Sequence, residues 1–460
     1  MLASAAGCDP QTSGGSGEVD VPDVYAFESR FDPEASSVSY SGQTFRQVLI
    51  ASIEAELSKV QDELDAGAVF EAGEVAARLS FYYRFESETG GSLPHLLTTS
   101  PPPRQTTWDD ISTDKDLQGK IAGNDPEGQH ADWSRDLLGW SSAGSPDALV
   151  LRWFDEVDAL AVAYAAQLPV DPQGVQYQVF YVSPQGVHYG ELMVKFLLGA
   201  VNYSQGTDDY LDDDADGHGL LSDNTMPEEG EPFTALEHAW DEGFGYWGGA
   251  RDYLAYTDDE LAGEGGRPDY AAGWHDTDGD GTIDLTREIN FGASVNAAKR
   301  DRGSVVPTDL SDQTMRAFLH GRAIIAAVDG DLSPEQLAAL QQQRDAAVLG
   351  WEQSLAATAV HYINDVLQDM AAADYDFTGH AGHWSELKGF LLSLQFNPRA
   401  RLSRDDLTRL HALVGEAPVA PGSAEADAYR ADLLSARALL GTAYGFDPAN
   451  LGDDAGQGGW

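Results

Sequence analysis

Apolar side chains return at helical intervals along most of this chain, and that rhythm limits it to an all-α architecture. Phe45, Leu49, Ile53, Leu57, Val60 and Leu64 recur every three or four residues, which sets them on one face of a helix near 43–66. Ser145-Pro146-Asp147 opens another, since Ser caps well and Pro fits the first helical position; Leu149, Trp153, Val157, Leu160 and Tyr164 follow. Segment 189–203 is apolar almost all round and reads as a central buried helix. Ser333 and Gln336 stand at capping-box spacing. The face running from Leu337 to Met370 then stays apolar, over about 54 Å of helix. Further helices are expected at 383–394, after Ser403 with Asp406 as its box partner, and after Ser423, stopping at Gly441.

Between these helices lie irregular stretches at 86–144, 204–233 and 256–310, with short β-like runs such as Tyr177–Val182. No break within 24–451 reads as a linker, so the expectation is one large single-domain helical bundle with long loops. A disordered tail is expected at 452–460.

Charge narrows the partners. Lys plus Arg number 27 against 76 Asp plus Glu, a net −49, and only six of the cations are lysines. Nucleic acids and anionic membranes are polyanions and would be repelled; cations are favoured. No run of about 20 apolar residues is present to span a bilayer.

The single cysteine, Cys8, rules out an internal disulfide. Ala5-Ala6-Gly7-Cys8 resembles a bacterial lipobox, with small residues before a lipidated Cys. The apolar stretch ahead of it is too short for a signal h-region, so this reading needs a start upstream of Met1. Residues 1–8 are then a truncated signal and lipobox, and 9–23 a flexible polar tether. The expected location is the cell envelope, with membrane contact only through the lipid anchor at Cys8.

The most specific chemical signal is Asp276-Thr-Asp278-Gly-Asp280-Gly281-Thr282-Ile283-Asp284. Carboxylates at alternate positions converge where Gly281 lets the chain turn sharply. Thr282 offers its backbone carbonyl, and Asp284 a direct or water-bridged oxygen. Oxygen-only ligands on a flexible loop suit Ca²⁺. The loop departs from the EF-hand pattern at its end, because position 12 is Arg287 and the acid, Glu288, stands at position 13. A second run, Asp212, Asp214, Asp216 and Asp223, has comparable spacing. Its position 8 is Gly219 where an apolar residue is normal, so a solvated charge run is the competing reading.

Thr234 and Glu237 form a capping box that opens a helix on which His238 shares a face with Asp241 and Glu242. His383 and Glu386 stand one turn apart, and His361 lies on the longest helix. His and carboxylates from several helices can hold Fe or Zn; the alternative is a hydrogen-bonded core network. The H-E-x-x-H protease motif is absent.

Several segments in order carry a resemblance: Ser37–Thr44, Glu237–Tyr246, Asp276–Leu285, Gly321-Arg322-Ala323, His361–Asn364 and His383–Glu386. Over roughly residues 24–451 the chain resembles the bacterial domain-of-unknown-function 4856 family. The resemblance implies a helical-bundle lipoprotein, encoded beside imelysin-like proteins and outer-membrane receptors thought to serve iron uptake. The two HxxE-like runs resemble the GxHxxE signature of imelysins, but Leu236 and Ala381 stand where the glycine belongs, which leaves an imelysin-like fold as an analogy.

Three functions follow. One is a calcium-stabilised, lipid-anchored metal-binding protein, an accessory to iron or other metal acquisition that partners envelope uptake proteins. A second is a non-catalytic surface binding or adhesion protein in which calcium is structural. A third is a metal-dependent hydrolase with Glu242 or Glu386 as general base. The sequence names neither a catalytic residue nor a physiological ligand.

Overall fold

The computed structural model describes residues 19–125, 127, 129–141 and 144–460. Cys8 and most of the expected tether lie outside them. Among the described residues there are α-helices, 3-10 turns and π turns, but no β-strand; Tyr177–Val182 is irregular chain between isolated bridges. The all-α expectation is met. No helix among the described residues is long and apolar enough to cross a membrane.

Helix Pro334–Ala371, 38 residues long, is the axis. Ser333 caps it in a capping box with Gln336, satisfying backbone N–H groups that the first turn leaves unpaired. Midway it is buried all round, and Ala356, Ala357 and Ala359 are small enough to let neighbours approach closely. Helices Gly292–Gly303, Leu310–Ala326, Phe377–Ser393 and Ala426–Tyr444 pack around it. Helix Ser41–Asp65 packs against Tyr189–Leu197 and Ala235–Trp247.

Three of the segments behind the family resemblance, Ser37–Thr44, Glu237–Tyr246 and Gly321–Ala323, meet in this core. Arg322, fully buried, donates to Asp241 Oδ1 at 2.9 Å, Glu237 Oε1 at 3.2 Å and Ser37 Oγ at 2.6 Å. Tyr25 Oη donates to the same Asp241 oxygen at 2.8 Å. One step along the helix, Gly321 is obligatory: a Cβ there would lie 2.0 Å from the Trp240 ring.

Four expectations are corrected. Segment 189–203 is not one α-helix: the α-helix ends at Leu197, and π turns follow at Leu198–Tyr203 and Gly206–Tyr210. The apolar run concealed the small and polar residues that widen the turns, with Gly199 against Ser393 and Gly206 against Trp351. Helix Gly292–Gly303 stands inside a stretch expected to be irregular. The last long helix runs through Gly441, which faces Leu451, and stops at Gly445, whose φ of 68° is left-handed. Lastly, the tail is packed. Trp460 is buried, and its indole donates to Arg300 O at 2.9 Å, because an aromatic C-terminus finds an apolar slot beside Phe446.

Candidate metal centre

The acidic loop is docked on two irregular segments and closed across its own ends. Ile283 donates to Pro102 O at 2.9 Å, and Arg104 N donates back to Ile283 O at 2.8 Å. Arg251 N donates to Arg287 O at 2.8 Å, and Asn290 Oδ1 accepts from Ala250 N at 2.8 Å. His275 N donates to Glu288 O at 3.1 Å. Ile283 and Leu285 are buried and anchor the loop, with Asp284 buried between them, while Asp278 and Asp280 are exposed.

Inside the loop, Asp276 gathers the turn. Its Oδ1 accepts from Gly279 N at 2.7 Å and its Oδ2 from Gly281 N at 2.9 Å. Gly279 and Gly281 have φ of 71° and 85°, which other residues adopt at a cost. A turn at Asp284–Glu288, closed by Glu288 N donating to Asp284 O at 2.8 Å, absorbs the extra residue and returns Glu288 to the start of the loop. Glu288 is buried; its Oε1 accepts from Thr277 N at 3.0 Å and its Oε2 from Asp284 N at 2.7 Å.

Asp276, Asp278 and Glu288 thereby offer carboxylate oxygens that all lie within 4.8 Å of one another. Oxygens on opposite sides of a bound Ca²⁺ stand about 4.6–5.2 Å apart, so the spacing suits that ion. The other expected ligands are differently engaged. Asp280 Oδ1 accepts from Thr282 N and Oγ1, at 2.8 and 2.6 Å. Asp284 Oδ1 accepts from Gln105 Nε2 at 2.9 Å and Thr286 Oγ1 at 2.7 Å. Burial alone would raise the Asp284 carboxyl, but these hydrogen bonds hold it below its ordinary value.

Arg104 lies across the outer side of the loop, a residue that no spacing in the sequence points to. Its Nη2 donates to Asp278 Oδ2 at 2.7 Å and Asp280 Oδ2 at 2.6 Å, and its Nη1 to Asp284 Oδ2 at 2.9 Å. Its hydrogen bond is the main influence holding the Asp278 carboxyl below the usual range.

The second acidic run does not close. Asp212 is buried and pairs with Arg399, Asp223 accepts from Thr225 N at 2.7 Å, and Asp216 is exposed. Asp214 is exposed, and partial desolvation with the charge of neighbouring Asp212 raises its carboxyl. Gly219, with a φ of 52°, has Asp212 O where a Cβ would stand, so this glycine shapes a turn.

The expected transition-metal cluster is also not assembled. Among the described residues, Asp276, Asp278 and Glu288 form the only such triple of His, Cys, Asp or Glu. Asp241 is taken by Arg322 and Tyr25. His238 stands 3.4 Å from Glu228 and 3.7 Å from Glu242, whose Oε1 accepts from Gln43 at 2.7 Å. His361 contacts Asp365 at 3.2 Å, and His383 contacts Asp369 at 2.8 Å. Burial, reinforced by Arg300, pushes His361 down to about 3, while the Asp369 hydrogen bond raises His383. Glu386 accepts from Tyr362 Oη at 2.6 Å and lies 3.3 Å from Lys195 Nζ. Each of these histidines, half-buried, has its own carboxylate neighbour, and the three do not converge on a common point.

Fold and loop together describe an all-α body carrying a carboxylate-rich, oxygen-donor loop. Residues 168–260 match the model of a family described as a domain of unknown function, DUF4856, in agreement with the resemblance read from the motifs. That match covers the π turns and helix Ala235–Trp247 and ends ahead of the acidic loop. No curated protein and no solved structure matches the chain.

Proposed function

We propose that this chain is a non-enzymatic binding protein of the cell envelope whose long loops are ordered by Ca²⁺ at Asp276, Asp278 and Glu288. One observation carries the reading: three carboxylate oxygens from a single loop lie within 4.8 Å of one another. A hard cation filling its shell with backbone carbonyls and water suits such a donor set, and a metal preferring imidazole or thiolate does not. The loop is hydrogen-bonded to segments near 102–105 and 250–251, so an ion there would lock irregular chain onto the helical body. The dispersal of His238, His361 and His383 removes support for an iron-handling role. Glu242 and Glu386, the general bases of a hydrolase reading, are each held by neighbouring side chains. The envelope placement rests on Cys8 and is tested by labelling expressed protein with a fatty acid; a Cys8→Ser variant that labels equally well overturns it. Calcium binding is tested by calorimetric titration of chelator-treated protein.

A further inference from the structure

Away from the acidic loop, helices Tyr189–Leu197, Gly292–Gly303, Pro334–Ala371 and Phe377–Ser393 enclose a cavity of about 230 Å³. Leu198, Trp351, Leu355 and Phe390 give it an apolar lining. Its charged lining is Lys195, Lys299, Arg300 and Glu386. Three cations against one carboxylate is a marked reversal in a chain of net charge −49.

The cations are not equivalent. Lys195 Nζ is held by Glu191 at 2.6 Å and by Glu386 at 3.3 Å. Arg300 is 7% exposed. Its Nε is buried and donates to no group among the described residues. A guanidinium taken out of water without an acceptor costs free energy unless an anion completes it, and Arg presents a planar fork that fits a carboxylate's two oxygens. Concave apolar sites with a few convergent polar groups are the usual form of small-molecule pockets. This cavity is just below the roughly 300–1,000 Å³ typical of them, so its occupant is small.

We infer that the cavity binds a small monocarboxylate with an apolar body, an aryl or branched aliphatic acid. The carboxylate meets Arg300 with Lys299 beside it, and the body lies on Trp351 and Leu355. The site does not depend on the calcium reading.

Titration of the full chain with phenylacetate, with phenylacetamide and with inorganic phosphate tests this, by calorimetry or ligand-observed NMR. Phenylacetate is expected to bind saturably. The uncharged amide and the phosphate, which lacks an apolar body, should each bind roughly tenfold or more weakly. Arg300→Met should lower phenylacetate affinity by a similar factor, and Val295→Trp, which fills the cavity from its own wall, should abolish binding with the helical circular dichroism unchanged. Absence of saturable phenylacetate binding overturns the inference. So does equal binding of acid and amide, or undiminished binding by Val295→Trp. If Arg300→Met fails to fold, the acid–amide comparison on the unaltered protein decides.

Discussion

Arg104 donates from Nη2 to Asp278 Oδ2 at 2.7 Å across 174 positions of sequence. The same nitrogen reaches Asp280 at 2.6 Å. The guanidinium therefore neutralises part of the loop that the proposed ion also needs, and the two cations compete for Asp278.

Replacing Arg104 with Gln should tighten Ca²⁺ binding while loosening the calcium-free loop. Exposed ion pairs contribute about 0.2–1 kcal/mol, so affinity should rise by up to roughly fivefold. Paired calorimetric titrations of the two proteins check this; weaker binding in Arg104→Gln would make Arg104 an organiser of the loop and not a competitor.

Arg322 and Asp241 are both fully buried and 2.9 Å apart. Arg322→Ala removes the buried guanidinium that pairs with Asp241 and Glu237, leaving Asp241 only the neutral donors Tyr25 and Ser39 N. Breaking a buried pair from one side costs about 3–5 kcal/mol. Urea unfolding should show a loss of that size, with Ca²⁺ affinity of the folded fraction unchanged.

Lys388 is fully buried, with Nζ donating to Gly415 O at 2.6 Å. Burial pushes its ammonium down to about 7, against about 10.4 in an unfolded chain. Between those values the unfolded state binds the extra proton, so this group makes stability rise with pH across roughly 7 to 10.4 and leaves its full burial penalty below 7. Lys388→Met should flatten that part of the stability–pH profile. A profile unchanged between pH 7 and 10 would show that the lysine does not titrate there.

Much of the helical frame was legible because capping chemistry is local. Ser145, Thr234, Ser333 and Ser403 each cap the helix their spacing predicts. The π turns were not legible, since they arise where Gly199 and Gly206 meet Ser393 and Trp351, residues distant in sequence. Helix Gly292–Gly303 was missed because it opens on glycine and has little apolar periodicity. In the loop, alternating aspartates marked Asp276 and Asp278, and Glu288 was brought in despite its shifted position. Arg104 could not be foreseen, because a contact made by tertiary docking leaves no spacing to read. The histidines misled for a related reason: a His and a carboxylate one turn apart look alike whether they hold a metal or are paired elsewhere, as His383 is with Asp369 and Glu386 with Tyr362.

The most direct measurement is calorimetric titration of Ca²⁺ into chelator-treated protein, with thermal melts at matched calcium. The account predicts one saturable binding event, and stabilisation of about 2.7 kcal/mol at a hundredfold excess over Kd. Both should be lost in an Asp276→Asn, Glu288→Gln double variant that keeps its helical spectrum. No heat of binding and no change in melting with calcium would contradict it.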